Sequence, residues 1–519
     1  MRTKTTSKVW IIGLNMKKIL INKDPWQTRI AITKNGTLEN IYFSAHAEKT
    51  LERSFFKGTV ATILPGIQTV FVDIGQEKAG FLHISEIDRE LAIKKFSETN
   101  SVDEPEGQKE QPFSLRKALD VAKIFKTGDP VLVQVSKEPV YEKGAKLTTC
   151  FTLPGRFIVL LPNIPRIGVS KKIEDRKERA RLKDIIKEQL PEGMGAIIRT
   201  TAENTSAKEL NKDIHYLIYT WNTIQKHFTE AKPIEKIYED LELSLQIVRD
   251  HLDEDVEAII TDNKENQNDI YKFVKSVAPE FTHKVNYFAE PINIFEYFNI
   301  QDQIEKALYK KVSLKSGGSL IIESTEAMTV IDVNTGSFTG KGSMEDTILK
   351  TNLEAAEECV RQLRLRNIGG LIVIDFIDMA EVENRHRLFN FFDQRLKEYD
   401  KFQSVVLKIS EFGLVQMTRK RSGKTLVQTL TDTCPTCMGS GFIKSVPTEA
   451  YTILRKLRTT LSGKAFGPEV HLVVSPAVFE HITTLEYNAI LELEKTFNCK
   501  ITVIRKDAMS LDQYKIEKK

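Results

Sequence analysis

From Lys17 the chain reads as strand. KKILINK (Lys17–Lys23) is followed by TRIAITKNGTLENIYF (Thr28–Phe43), in which Asn35-Gly36 signals a tight hairpin because both residues accept positive φ. Four more short β-rich runs lie between Phe55 and Thr149: GTVATIL, TVFVDIG, AGFLHI and PVLVQVS. Five short strands over this length fit a small closed barrel of the OB type. An acidic stretch, Ser97–Gln111, interrupts them and is too polar to pack, so a disordered insertion is expected there. Residues 151–201 return to strand at RFIVLLP and carry a charged helix, EDRKERARLKDIIKEQL. Residues 203–312 are mostly helical in pattern, with LSLQIV (Leu243–Val248) read as strand.

The most regular pattern lies further on. SLIIEST, AMTVIDVN and LIVIDFI read as strands, with a Gly/Ser-rich loop and a long helix between the second and third. Ser343 and Asp346 make a capping-box start, and Gly369 is the expected stop. Leu349, Leu353, Ala356, Val360 and Leu363 form one apolar stripe at helical spacing, suited to lying on a sheet. A capped helix between two hydrophobic strands is an α/β layer unit, and a short α/β piece follows Cys437.

The 519 residues predict three or four domains. The net charge of +4 means that a nucleic-acid site must come from local patches. No run approaches a membrane span, and no secretory signal is read at the start. Five cysteines argue against a disulfide framework and for a reducing, cytoplasmic setting.

Asp332 and Asn334 stand two apart in TVIDVN and share a strand face, while Asp375 takes the matching place in LIVIDFI. Two aspartates on neighbouring strands beside an amide can hold a hydrated Mg²⁺, which activates water against a phosphoryl group. Lys341 and the arginines Arg361, Arg364 and Arg366 would add positive charge for phosphates. The plainer alternative is that the aspartates cap turns or pair with those arginines. Asp378 is the weaker candidate, because three residues from Asp375 it would face the other side of an extended strand. Cys434 and Cys437 are half of a tetrahedral zinc site, which a second copy of the chain could complete; free thiols and a redox pair are the alternatives. In the barrel, Phe71 and Phe81 could stack bases while Lys137 and Lys143 follow the backbone, although a strand phenylalanine is more often core. Arg166, Lys171, Lys172, Arg199 and Thr200 make a basic segment that is either a phosphate pocket or a solvated face.

KGTVATILPGIQTVFVDIGQEKAGFL, PEGMGAIIRT, AMTVIDVN, TNLEAAEECVRQLRLRNIGGLIVIDFIDM, EFGLVQMTRKR and CPTCMGSGF, in this order, resemble the ribonuclease E/G family from about Met16 to the end. Leu353–Phe376 is the most specific part, and the chain is nearer the family's short members than those with a long disordered scaffold. The resemblance implies a single-strand endoribonuclease of precursor ribosomal and messenger RNA that leaves 5′-phosphate and 3′-hydroxyl ends and favours 5′-monophosphorylated substrates. It also implies an architecture. Residues 1–15 would be an extension, 16–53 and 241–290 two parts of an RNase H-like subdomain, and 54–150 the OB barrel with insertion 97–111. Residues 151–240 would be the 5′-monophosphate sensor, 291–430 a deoxyribonuclease-I-like catalytic subdomain, 431–444 a zinc link and 445–519 a small α/β domain.

By matching motifs, Asp332 and Asp375 would bind Mg²⁺, and Asn334 would orient an aspartate or the scissile phosphate. Gly155, Val159, Arg199 and Thr200 would hold the 5′-phosphate, and Phe71, Phe81 and Lys143 the RNA. Cys434 and Cys437 would supply half of a structural Zn²⁺ link in a homodimer or a dimer of dimers. Lys171-Lys172 replaces expected arginines, the acidic insertion has no counterpart, and the loop after Asn334 varies. A non-catalytic RNA-binding or scaffold protein is the rival, but it would have no physical need for the Asp332/Asn334/Asp375 set.

Overall fold

A computed structural model describes residues 16–45, 51–88, 121–139, 144–336, 344–410, 413–421, 423–463 and 467–518. Lys143, Lys341, Ser343 and the acidic stretch 97–111 lie outside the described residues. The chain divides into two compact units, Met1–Val427 and Gln428–Lys519.

Among the described residues, the first unit shows four sheets. Strands Lys17–Lys23, Gln27–Lys34 and Thr37–Ala45 form an antiparallel meander. Its second turn is Asn35-Gly36, with φ of 53° and 78°, the primed geometry that matches strand twist. Lys17–Lys23 then pairs in parallel with Val256–Thr261, and that strand with Val285–Tyr287, so segments more than 230 residues apart share one sheet. Ile19, Ile21, Ile30 and Ile32 bury against Val248, Ile270 and Val274 from the covering helices.

Between the two halves of that sheet the chain makes a closed barrel of five strands: Phe55–Leu64, Thr69–Asp73, Gly80–His83, Lys146–Thr148 and Pro130–Lys137, the last pairing back onto the first. Val70, Val72, Leu82, Val133, Val135 and Leu147 fill it. Closure removes free edges, as in OB-like folds. A third sheet, Leu153–Pro154, Ile158–Leu161, Gly195–Ile198 and Ile167–Val169, packs under helices Arg176–Gln189 and Ala207–Glu230.

LSLQIV is not a strand. It opens the helix Leu243–His251, burying Ser244, Ile247 and Val248 at helical spacing. The apolar run was too short for its period to separate the two states.

The fourth sheet orders Lys311–Ser313, Ser319–Ser324, Met328–Asn334, Gly370–Asp375, Leu414–Arg419 and Ser404–Val406. Helix Met344–Leu365 crosses between its two parallel strands, as that connection requires. Its expected stripe is in place: Leu349, Ala356, Val360 and Leu363 are buried and Leu353 packs beside them. The helix stop differs from expectation. Asn367, not Gly369, adopts the left-handed conformation (φ 51°), and the Ile368 N–H donates to the Leu363 carbonyl in a Schellman closure.

The basic side chains of this helix also have work other than the one expected of them. Arg361 donates to the Leu38 carbonyl, and Arg364 to Glu39 and Asn40, fastening the helix to the meander. Arg366 donates to Gln362. Neither the phosphate role nor a pairing with the strand-end aspartates holds for these three.

Underneath, Arg419 makes a bidentate pair with Asp400 at 2.6 and 3.0 Å and donates a third bond to the Ile368 carbonyl. Both side chains are about 1% exposed. Removing one partner of such a pair strands a buried charge, at a cost of about 3–5 kcal/mol. Arg419→Leu should therefore lower the urea midpoint of the first unit sharply, with part of the loss recovered in Arg419→Leu/Asp400→Leu. A single-variant loss under about 1 kcal/mol, the scale of an exposed pair, would contradict this.

The second unit is a three-stranded sheet, Lys500–Arg505, Glu469–Val474 and Tyr514–Lys518, with helices Val446–Gly463, Pro476–Thr484 and Tyr487–Phe497 around a core that includes Ile453, Leu457, Leu472 and Ile482. Among the described residues no helix is long and apolar enough to cross a membrane.

Candidate active site and RNA-facing surfaces

Asp332 and Asp375 are direct partners on the parallel strands Met328–Asn334 and Gly370–Asp375. Ile331, Val333, Ile372 and Ile374 alternate with them and bury under the helices, so the pleat turns both carboxylates to the opposite face. Adjacent strands are about 4.8 Å apart, which places two like charges at close quarters. Asn334, on the same face, donates from Nδ2 to Asp332 Oδ2 at 2.7 Å.

The electrostatics record the crowding. Partial desolvation, then Asp332 and Asp378, raise the Asp375 carboxyl above its ordinary value. Asp378 is thus near enough to act on Asp375 electrostatically. The ladder ends at Asp375, so the two-residue period that would have turned Asp378 away does not continue to it. A cleft of about 630 Å³ opens immediately beyond, lined by Phe376, Ile377, Asp378, Met379, Arg385 and Glu345 among others. Glu345 caps the start of helix Val382–Tyr399, accepting from the N–H groups of Ala380 and Glu381. Among the described residues no group of three or more possible metal ligands is gathered here; two aspartates beside an amide are the oxygen donors that the two strands bring together.

A second cluster surrounds Arg199. Its Nη1 donates to the Gly155 carbonyl and to Asp250 Oδ1, both at 2.7 Å. Thr200 follows on an exposed turn, its hydroxyl 3.4 Å from that of Ser170, and Val159 is half-buried on the adjoining strand. The turn after Gly155 is organised by Asp213, a buried carboxylate on helix Ala207–Glu230 that accepts from the N–H groups of Arg156, Phe157 and Ile158. Burial pushes this carboxyl up, against those three donors and Arg199. A Cβ on residue 155 would sit 2.5 Å from an Asp213 oxygen, so only glycine allows the approach.

Burial alone would raise Asp250, but Arg249 and Arg199 outweigh it and bring its carboxyl down to about 2. Lys401 donates to the Asp250 carbonyl, and its desolvation lowers the ammonium to about 8. Sequence reasoning missed Asp213, Asp250 and Lys401. Asp250 and Lys401 sit far along the chain from the basic segment, and Asp213, though only 13 residues past Thr200, serves the turn at residues 156–158; only the fold brings them together.

On the barrel, Phe71 and Phe81 are cross-strand partners, half-buried and pointing away from the interior filled by Val70, Val72 and Leu82. Lys146 pairs beside Phe81 and is bridged to Glu86, and Lys137, exposed, is the next partner along. Lys146 was also missed. Arg166 and Lys171 are exposed, whereas Lys172 donates to the Lys397 and Asp400 carbonyls.

In the second unit, Cys434 and Cys437 lie in a turn whose Met438, Gly439 and Gly441 all have positive φ, with no helix opening at the pair. Backbone N–H groups of Cys437 and Thr436 lower the Cys434 thiol, which favours a thiolate ligand. Among the described residues no third ligand stands beside them.

A model described as the ribonuclease E/G family matches residues 152–422, and one described as an RNase E/G thioredoxin-like domain matches residues 433–519. Ribonuclease G of Escherichia coli K12 is 38% identical over 478 residues, 92% of this chain and 94% of that one. The chain belongs to the ribonuclease E/G family. Ribonuclease G of Haemophilus influenzae is 37% identical over 501 residues, 96% of this chain and 99% of that one. Ribonuclease E of Escherichia coli K12 is 32% identical over 507 residues, covering 96% of this chain but 46% of its own length. The thioredoxin-like description applies to the small α/β unit and its neighbouring turn, and membership of the family makes the chain an endoribonuclease.

Proposed function

We propose that this endoribonuclease hydrolyses single-stranded RNA with Mg²⁺ held by Asp332 and Asp375, leaving 5′-phosphate and 3′-hydroxyl ends. The observation that supports this reading is the in-register pair of aspartates, with the Asp375 carboxyl raised by partial desolvation and by Asp332 and Asp378 beside it. Bound there, Mg²⁺ would supply Lewis-acid stabilisation of the phosphoryl group and acidify the attacking water. Asn334 holds one Asp332 oxygen through its amide, leaving the other for the ion or the phosphate. Phe71 and Phe81 offer a stacking surface, and Lys137 and Lys143 a cationic track, for the unpaired strand. Cleavage of a 5′-monophosphorylated single-stranded RNA should fall roughly 10³-fold in Asp332→Asn and Asp375→Asn, equivalent to about 4 kcal/mol of transition-state stabilisation. Undiminished cutting by both folded variants would remove the site.

The preference for 5′-monophosphorylated ends rests on Gly155, Val159, Arg199 and Thr200. Arg199 spends one nitrogen on Gly155 and Asp250, which fixes the guanidinium plane and leaves its remaining N–H groups for a phosphate. Anchoring the end raises the effective concentration of downstream phosphates at the acids. Such a pocket suits trimming of ribosomal RNA precursors and decay of messenger RNA in the cytoplasm. Arg199→Ala should lower the rate ratio of 5′-monophosphorylated to 5′-hydroxyl substrate by about 10-fold or more, the worth of a charge-assisted bond. Equal losses on both substrates would make Arg199 a general backbone contact.

Cys434 and Cys437 supply half of a tetrahedral Zn²⁺ site, completed by the same pair from a second copy in a homodimer or dimer of dimers. The turn and the lowered Cys434 thiol support this over a redox pair, which would open a helix. Metal analysis of the reduced protein should give about half a zinc per chain, and chelation should halve the assembly mass. One zinc per chain, or a chelation-resistant assembly, would refute the shared site.

A further inference from the structure

The carboxylate-bearing strand Gly370–Asp375 loses its ladder at Asp375, and what fixes the chain beyond it is a side chain. Asn352, fully buried on helix Met344–Leu365, donates from Nδ2 to the Ile377 carbonyl at 2.8 Å and accepts from the Ile377 N–H at 3.1 Å. One amide thus reproduces both hydrogen bonds that a neighbouring strand would have made. Ile377 lies two residues after Asp375 and one before Asp378, and Phe376 and Met379 on either side are buried in the core. The same helical turn grips the other strand end. Glu354 accepts from the N–H groups of Lys315 and Ser316 in the hairpin leading to Ser319, the residue paired with Asn334.

A fully buried amide costs desolvation that an apolar side chain would avoid, so its use here is the geometry it imposes. We infer that Asn352 is a positioning residue of the nuclease site: by clamping Ile377 it sets the separation and direction of Asp375 and Asp378, and with them the grip on the divalent ion. This deepens the reading of Asp332 and Asp375 as ion ligands and rests on it. Groups one bond removed from metal ligands typically govern about 10–100-fold in affinity or activity.

The test compares full-length wild type, Asn352→Leu, which removes both bonds, and Asn352→Asp, which keeps the volume and the acceptor but loses the donor. Asp375→Asn serves as control. Mn²⁺ binding is titrated by electron paramagnetic resonance of the free ion, alongside thermal midpoints and Mn²⁺-dependent kcat and KM on 5′-monophosphorylated RNA. The expected result is Mn²⁺ affinity and kcat lowered about 10-fold or more in Asn352→Leu and by less in Asn352→Asp, with KM for RNA unchanged. Raised Mn²⁺ should restore much of the Asn352→Asp rate and none of the Asp375→Asn rate. A lowered thermal midpoint with wild-type Mn²⁺ affinity would make Asn352 a fold residue only and overturn the inference, as would wild-type binding and rate in both variants while Asp375→Asn is inactive. If Asp375→Asn itself binds Mn²⁺ and cuts normally, the ligand assignment fails rather than the clamp.

Discussion

Two carboxylates placed opposite each other on adjacent parallel strands are the constraint to which the rest of this molecule answers. Strand pairing decides how close they stand, and the pleat decides that they face away from the core. Neither choice can relax without moving a six-stranded sheet whose other face is packed under two helices. The repulsion is consequently held in place by a large apolar interface, which is how a fold can maintain a geometry that its charges alone would oppose. The surrounding polar side chains refine this arrangement, since Asn334 occupies one oxygen of Asp332 and Asp378 adds a third negative charge near Asp375.

The other surfaces are organised around the same end. Arg361 and Arg364 bolt the nuclease helix to the amino-terminal meander. Lys401, two residues beyond helix Val382–Tyr399, reaches the Asp250 that orients Arg199. His251 lies between, with the Tyr42 hydroxyl 3.3 Å from its ring nitrogen, and burial followed by Lys401 and Lys17 holds its pKa well below the usual value. The strand Thr37–Ala45 thus meets both sets of contacts, with Tyr42 facing His251 and residues 38–40 holding Arg361 and Arg364.

How much of this was legible in the chain depended on whether the information was local. Apart from the short barrel strand Lys146–Thr148, which was not located, the hairpin at Asn35-Gly36, the other four of the five barrel strands and the stripe from Leu349 to Leu363 follow from period and turn chemistry and appear where expected. So does the register of Asp332 with Asp375, which required only that two apolar runs be adjacent. What failed was non-local. Arg361 and Arg364 were near the acids in sequence but point toward residues 38–40, more than 300 positions away. LSLQIV could satisfy either period until helices and sheet closed around it. The reason for ranking Asp378 lower does not apply, because it extended the strand three residues past its last hydrogen bond. Asp213, Asp250 and Asn352 carry no local signal at all, being ordinary polar residues of helices whose partners lie elsewhere.

The amino-terminal sheet has a temporal consequence. Its strand Lys17–Lys23 is translated long before Val256–Thr261, and the barrel occupies the interval. On the ribosome the barrel strands, all emitted within a short span, can close while the meander still lacks its neighbour, because long-range pairings must await both segments and bear the greater loop entropy. The nuclease helix in turn has the finished meander to land on. A nascent chain would therefore complete its barrel well before it completes the sheet that carries Asp332 and Asp375, so the two parts of the first unit mature at different times.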